Sequence, residues 1–365
     1  MSRVQRQMTG ASVGNGGMTR GGGTALSRRP RLDDVAARVG LSPASVSLVL
    51  RNAPGPSEAT RERVFRAAAE LGYRADMTAS LLARHRTNLL GGMLDVRNTF
   101  HAELVEHLHE AADSVGYDLV LSTVTRTRSE DRAVETLLDF RCEALILLGP
   151  EAPTARLAAL DRLQPVVIVG RRIPAGSMDV VRSADQAGVG LAVDHLVELG
   201  HRDIAYVDGG KGTIAADRRR GYRTAMRRHG LGDRVNVIEG DHTEDSGIRA
   251  GQMLLRRRLP TAVITFNDRC ALGLLDVLIR SGVHVPGELS LVGYDDSPSA
   301  QLAHISLTSV GQDALKQAQQ AVAAAVERLD HDRRAPREVV LPARLVVRST
   351  TGPPPDSQDR PTSAE

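Results

Sequence analysis

Aromatic residues make up only 2% of this 365-residue chain; Trp is absent, and four Phe and five Tyr are all that remain. The core must therefore be assembled from Leu, Val, Ile and Ala, and stacking faces for bases or sugar rings are scarce. Cys occurs at Cys142 and Cys270, far apart and beside apolar runs, which argues against a disulfide framework or a metal site and for buried thiols. Apolar runs such as "ALILLG" and "PVVIVG" fall far short of the ~20 residues that span a bilayer, and the N-terminus offers Arg and Gly but no apolar signal segment. These absences place the protein in the cytoplasm.

Lysine is nearly missing too, at Lys211 and Lys316 alone, so Arg carries the positive charge. The net charge of +3 is unevenly spread, because residues 1–87 hold fourteen Arg against six acids. A basic end on a mildly acidic body suits a polyanion-binding module, although an Arg bias by itself is equally well a matter of genome composition. Residues 1–29, with "GNGG" and "TRGGGT", and residues 351–365, with "GPPPDSQDRPTSAE", are too poor in apolar side chains to fold and read as disordered tails. Met1, Met8 and Met18 all remain candidate starts.

Three short helical patterns follow. "RLDDVAARVG" puts Leu32, Val35, Ala36 and Val39 on one face and stops at Gly40; a later one, after Ser57, carries Val64, Ala67, Ala68 and Leu71 before Gly72. Between them "GLSPASVSLVLRNAP" alternates polar and apolar like a strand, yet Val46, Val49 and Leu50 fall at helical spacing. Ser42 followed by Pro43 decides for helix: a hydroxyl N-cap, then the position where a missing N–H does no harm. Val46, Val49 and Leu50 then face inward, and Ala44, Ser47, Leu48 and Arg51 share the outer face. A helix ending at Gly40 and another starting three residues on has the spacing of a helix-turn-helix, although a helical hairpin within some other domain has it too.

From Leu89 the texture changes to apolar runs separated by helical patterns: "LLGGMLDV", "YDLVLST", "EALILLG", "PVVIVG", "DIAYVDG", "AVITF" and "LSLVGYDD". Such strands are buried on both faces, so they read as parallel βαβ units in two doubly wound lobes, with a ligand crevice at the carboxyl ends of the strands. "VVLPARLVVRST" reads as a closing hairpin or edge strand.

Taken together, "LDDVAARVGLSPASVSLVL", "SEATRERVFRAAAELGYR", "ELGHRDIAYVDGG", "FNDRCALGLLDVLIRSGVHVPGELSLVGYDD" and "LTSVGQD" resemble the lactose-repressor (LacI/GalR) family of bacterial transcription regulators, from about Arg31 to Ser349. The resemblance implies an α plus α/β architecture. A three-helix DNA-binding domain over residues 30–74 is followed by a hinge over 75–87 and a two-lobed, periplasmic-binding-protein-like effector domain with parallel sheets over 88–350. It also implies a homodimeric repressor on a palindromic operator, controlled by a small molecule, a carbohydrate first, in the interlobe cleft. Pro43, Ala44, Ser47 and Leu48 would then lie nearest the bases, and Ser42, Ser45 and Tyr73 would serve phosphates. Leu82 would wedge the minor groove, with Ala79 allowing close approach of two hinge helices. Two departures matter. Relatives carry Arg where this chain has Leu48, so the operator should lack the family's guanine there; they carry Asn where it has Arg51, which can restore a base or phosphate contact.

In the cleft, the resemblance assigns Arg218, Asn267 and Asp295 to effector hydrogen bonds, Gln312 to the far edge, Phe100 and His101 to a position over the effector, and Phe266 to a stacking face. An Arg, an amide and a carboxylate together suit a polyol. Asp268 and Asp296 read as helix N-caps, and Arg219 and Arg220 as a solvated face. No P-loop, nucleophile elbow, HExxH or CxxC is present, and His195 and His201 are poorly spaced for a metal, so neither an enzyme nor a cofactor is expected. A ligand-responsive activator, a corepressor-dependent repressor and, more remotely, a solute-binding receptor are the alternatives.

Overall fold

In the computed structural model, residues 30–51, 53–73, 86–174, 176 and 178–355 are described. The chain divides into two compact units, Met1–His85 and Arg86–Glu365. Leu82, Ala79 and most of the expected hinge, like the tail over residues 1–29, lie outside the described residues.

The first unit is built from helices α1 (Leu32–Val39), α2 (Pro43–Leu50) and α3 (Glu58–Leu71). Gly40, at φ 68°, closes α1 in the left-handed conformation that a Cβ disfavours. Ser42 then caps α2 by accepting from the Ser45 N–H at 3.2 Å, with Pro43 as the first helical residue. Ser57 caps α3 in the same way through the Thr60 N–H at 3.4 Å. Val35, Ala36, Val46, Val49, Val64, Ala67 and Ala68 form the core, edged by Leu32, Leu50, Leu71 and Tyr73. Each helix thus buries the face that its periodicity assigns.

The second unit begins one lobe with β1 (Leu89–Asp95), α4 (Phe100–Ser114), β2 (Asp118–Val124), α5 (Glu130–Asp139), β3 (Ala144–Leu148), α6 (Thr154–Asp161), β4 (Val166–Val169) and β5 (Asp179–Ser183). The chain crosses to a second lobe through α7 (Asp185–Glu198), β6 (Ile204–Val207), α8 (Thr213–Arg228), β7 (Asn236–Ile238), α9 (Glu244–Leu255), β8 (Ala262–Thr265), α10 (Asp268–Arg280), β9 (Ser290–Asp295) and β10 (Thr308–Gly311). It returns with α11 (Ala314–Asp330) and β11 (Glu338–Leu341), and crosses once more into β12 (Arg344–Val346). The sheets run β2-β1-β3-β4-β5-β11 and β7-β6-β8-β9-β10-β12. Every pairing is parallel except that of β10 with β12. Strands β3, β4, β6 and β8, rich in Val, Ile, Leu and Ala, are buried on both faces by flanking helices.

Four expectations change. Of the two readings of "VVLPARLVVRST", the edge strand holds and the hairpin does not: its halves are β11 and β12, edge strands of different sheets, and Pro342, with no N–H for a ladder, lies at the crossing between them. The strands β5, β7 and β10 were not among the apolar runs, because β7 is three residues long and β5 and β10 bury Asp179, Arg182, Ser183, Thr308 and Ser309. The body starts earlier than residue 88: Arg86 pairs with Glu143 and Asp330 at 2.8 and 2.7 Å, and Thr87 donates its N–H to Glu143. It also ends later than residue 350, since His195 Nε2 meets Thr351 Oγ1 at 3.0 Å and His201 Nε2 meets the Gly352 carbonyl at 2.8 Å. Cys142 and Cys270 are free and buried.

Replacing the cap in Ser57→Ala is expected to remove about 1 kcal/mol from the first unit. Hydrogen exchange on the full chain should show faster exchange in α1–α3 and an unchanged body; exchange in α3 at the wild-type rate would contradict it.

Candidate functional site

On α2, Val46 and Val49 are fully buried, while Ala44 and Arg51 are exposed, Leu48 is 40% exposed and Ser47 is half-buried. Before Arg51 at its C-terminal end, the outer face therefore presents two small residues and one Leu, with Pro43 exposed at its start. Ser42 and Ser45 share a hydroxyl–hydroxyl hydrogen bond of 2.8 Å at the helix N-terminus, where N–H groups suit an anion. Arg51 turns back, its Nε donating to the Ser47 carbonyl at 3.2 Å, and Tyr73 is half-buried against the core of the unit. A backbone-held Arg51 is less free to reach a base than its place on the outer face suggests.

In the second unit a cavity opens between the lobes where β4, β5, β9 and β10 end. It gathers Phe100, His101, Arg218, Phe266, Asn267, Asp295 and Gln312, all seven residues expected there. Leu104 and Ile214 add apolar walls, and Asp185 and Gln317 add polar groups that the sequence reading missed. Asp185, the first residue of α7, had no visible signal because β5, the strand that leads into it, went unrecognised; Gln317 lies one turn into α11 on an otherwise Ala-rich face. This inner cavity holds about 50 Å³, and towards solvent it adjoins, across His101, Ile214 and Phe266, a second cavity between Asp95, Glu151 and Arg171 on one lobe and Lys211 and His242 on the other, of about 410 Å³. That lies within the ~300–1,000 Å³ of small-molecule clefts. A hydrogen bond from Arg269, in α10, to the Arg97 carbonyl spans the two lobes.

At the centre lies Arg218, 4% exposed. Its Nε donates to Asp185 at 2.8 Å, its Nη1 to the Phe266 carbonyl at 2.6 Å, and its Nη2 lies 3.6 Å from Asp295. The guanidinium carbon sits 3.5 Å from the Tyr294 ring centroid and 4.7 Å from that of Phe266, both favourable for a cation. Gly209 lies against the Phe266 ring, where a Cβ would have no room. Burial works against the Arg218 charge, but Asp185, Tyr294 and Asp295 together hold it protonated. Burial pushes the Asp295 carboxyl up to about 7, opposed by Arg218 and by the 2.8 Å hydrogen bond from Gln312. Asp295 also has φ 111°, a strained backbone at the cavity wall.

His101 is fixed differently. Asn98 accepts from the Phe100 N–H through Oδ1, so its Nδ2 is the group 3.0 Å from His101 Nε2. On the other side of the ring Nδ1 lies 3.2 Å from both the N–H and the carbonyl of Asp95, so the imidazole is held between Asn98 and the Asp95 backbone. Burial lowers the His101 pKa to about 4, so the ring is a neutral wall near neutral pH.

Four other residues differ from expectation. Asn267 lines the cavity but caps α10: its Oδ1 accepts from the Cys270 N–H at 2.9 Å and its Nδ2 donates to the His242 carbonyl at 3.1 Å. Its amide is therefore largely committed, and the cap expected at Asp268 belongs to it. Asp268 instead accepts from the Ser297 N–H and Ser309 hydroxyl at 2.7 and 2.6 Å, tying β9 and β10 together. Asp296 caps no helix either; it pairs with Arg348 at 2.5 Å. Arg220 is exposed as expected, but Arg219 is drawn inward to Asp208. Among the described residues no cluster of His, Cys, Asp and Glu is arranged for a metal ion, and no helix is long and apolar enough to cross a membrane.

Removing Arg218 would leave Asp185 and Asp295 buried without a cation, so Arg218→Ala should cost about 3–5 kcal/mol. A carboxyl whose folded pKa lies above its unfolded ~4 takes up a proton on folding, so its contribution is lost as pH rises towards 7. Thermal unfolding should thus show a larger deficit at pH 8 than at pH 5.5. A small or pH-independent deficit would contradict the charge arrangement.

Comparison with known proteins finds relatives of both units. Residues 31–76 match the bacterial regulatory proteins of the lacI family, and residues 193–351 match the periplasmic binding protein-like domain. The transcriptional regulator DegA of Bacillus subtilis is 30% identical over 328 residues, 88% of this chain and 97% of its own. GalR of Escherichia coli is 34% identical over 82% of this chain and 89% of its own. A LacI regulator structure from Rhodococcus shares 45% identity at TM-score 0.70, covering 73% of this chain and 98% of that one. The lac repressor dimer bound to operator and an anti-inducer superposes at TM-score 0.77 with 28% identity over 89% of this chain and all of that one. A CelR–cellobiose complex does so at 0.65 with 30% identity over 88% and 100%. With a helix-turn-helix head, a two-lobed body and relatives at this level over most of its length, the chain belongs to the LacI/GalR family of DNA-binding transcriptional regulators.

Proposed function

We propose that this regulator is a homodimeric, non-enzymatic, cytoplasmic repressor whose operator affinity is set by a small neutral ligand, a carbohydrate by class, held between the lobes of its body. The observation that carries this reading is the pairing, in one chain, of a solvent-facing row, Ala44, Ser47 and Leu48, on a helix-turn-helix with an enclosed cavity lined by Arg218, Asp295 and Gln312. The CelR relative solved with cellobiose supports the ligand class, and the lac repressor solved as a dimer on operator supports the assembly.

In this reading α2 enters the major groove with its N-terminal half towards the bases. Pro43, Ala44, Ser47 and Leu48 meet base edges; Ser42, Ser45 and Tyr73 fix register on phosphates, with Arg51 at the margin; and Leu82, assigned from sequence alone, wedges the minor groove. A two-fold protein requires a palindromic site, and phosphate contacts make affinity fall with salt. Ligand bound between the lobes biases their closure and, through the dimer, the spacing of the two heads. An Arg at position 48 could grip a guanine through O6 and N7, whereas Leu48 offers apolar contact best matched by a thymine methyl.

Selection of duplexes from a random pool by the purified protein should return a palindrome without a guanine opposite Leu48. Leu48→Arg should move the preference at that one position in each half-site to guanine by about 1–3 kcal/mol. A pool showing no preference over bulk DNA would sink the repressor reading, and an unchanged site for Leu48→Arg would sink the assignment of that face.

A further inference from the structure

Arg218, the centre of the proposed ligand site, has few donors left for a ligand: Nε goes to Asp185, Nη1 to the Phe266 carbonyl, and Nη2 points towards Asp295. The one guanidinium is shared between the carboxyl groups of Asp185 and Asp295, so the inner end of the cavity has no cation to spare for a ligand. Gln317 lines this same end, on the first turn of α11, and is fully buried. Its Nε2 donates to the Ser183 hydroxyl at 3.1 Å, but its Oε1 is shielded from solvent and has no hydrogen-bond partner. A buried amide oxygen without a donor is unfavourable, and native structures keep few of them, usually with a functional reason.

We infer that Gln317 contacts the ligand directly, its carboxamide oxygen accepting from a ligand hydroxyl, and that this end of the cavity selects an uncharged polyol over anionic counterparts. The inference rests on the reading of the cavity as the ligand site. A hydroxyl completes the amide as donor and can itself accept, so it fits a cavity wall made mostly of acceptors. A carboxylate or phosphate in the same place would face Gln317 Oε1 and the carboxyl groups of Asp185 and Asp295, with Arg218 Nη2, already turned towards Asp295, as its cationic donor, in a site where water screens the repulsion poorly. The Ser183–Gln317 bond crosses from the end of β5 to α11, which places the proposed contact between two of the segments that join the lobes.

The test uses the full-length protein and the double variant Ser183→Ala/Gln317→Leu, which removes both partners while keeping their approximate shape. The chain has no Trp, so unfolding is followed by calorimetry, with D-glucose, D-galactose, maltose and cellobiose as neutral probes and D-gluconate and D-glucose 6-phosphate as anionic ones. The double variant should unfold without ligand at the wild-type temperature or above, because no orphaned oxygen is left buried, and should bind operator as wild type does. The neutral sugar that stabilises wild type should need roughly 10-fold or more higher concentration to stabilise the variant. An unfolding temperature several degrees lower with sugar affinity intact would make Gln317 structural and overturn the inference. So would stabilisation of wild type by the anionic probes alone, which would leave the ligand-controlled reading standing. A protein that binds operator but is stabilised by neither set would count against both.

Discussion

The body of this protein is organised around one buried cation. Taking a guanidinium out of water is expensive, by several kcal/mol even after relaxation, unless partners stand ready at fixed distances. The Arg218 charge needs Asp185 from the first crossing between lobes, the Phe266 carbonyl and Asp295 from the ends of β8 and β9, and aromatic faces from Tyr294 and Phe266. Those groups come from segments far apart in sequence, so satisfying the cation fixes the cavity wall. The same arrangement leaves Asp295 only partly compensated and strained in its backbone.

The cavity also has a structural link to the start of the body. Gln312 precedes α11 and Gln317 lies on its first turn, while Asp330, its last residue, accepts from Arg86 at 2.7 Å and from the Tyr117 hydroxyl at 2.9 Å. A 17-residue helix is about 25 Å long. Its buried face of Ala314, Ala318, Ala321 and Ala325 packs against the first sheet, so it can shift as a unit but hardly bend. A ligand touching its N-terminal turn thus acts on a rigid element whose far end grips the first residue of the body.

Much of this was legible in sequence, for physical reasons that differ by element. The head could be read closely, since its three helices carry caps, stops and 3.6-residue periodicity all in agreement, and the contest over "ASVSLVL" was settled by one Ser–Pro pair. Strands made of uninterrupted Val, Ile and Leu were equally plain. Strand β5 was not, because Asp179 and Arg182 are buried through ion pairs with Arg333 and Glu338, contacts made only once the chain has folded. With β5 went Asp185. Asn267 and Asp268 show the finer limit: either residue type can cap a helix, and only the turn after β8 decides that Asn267 caps α10 while Asp268 ties two strands together. The tail beyond residue 350 looked unable to fold because its partners, His195, His201 and Ser290, are remote in sequence.

The central claim is that the cavity and the DNA-reading helix share one free energy. Linkage makes this measurable in either direction, since a ligand that changes operator affinity by some factor must have its own affinity changed by operator by the same factor. Titration calorimetry of a stabilising sugar into the free protein and into the operator complex tests it most directly. The account predicts two different sugar affinities, in a ratio equal to the ratio of operator affinities with and without sugar. Identical sugar affinities in the two titrations would contradict it.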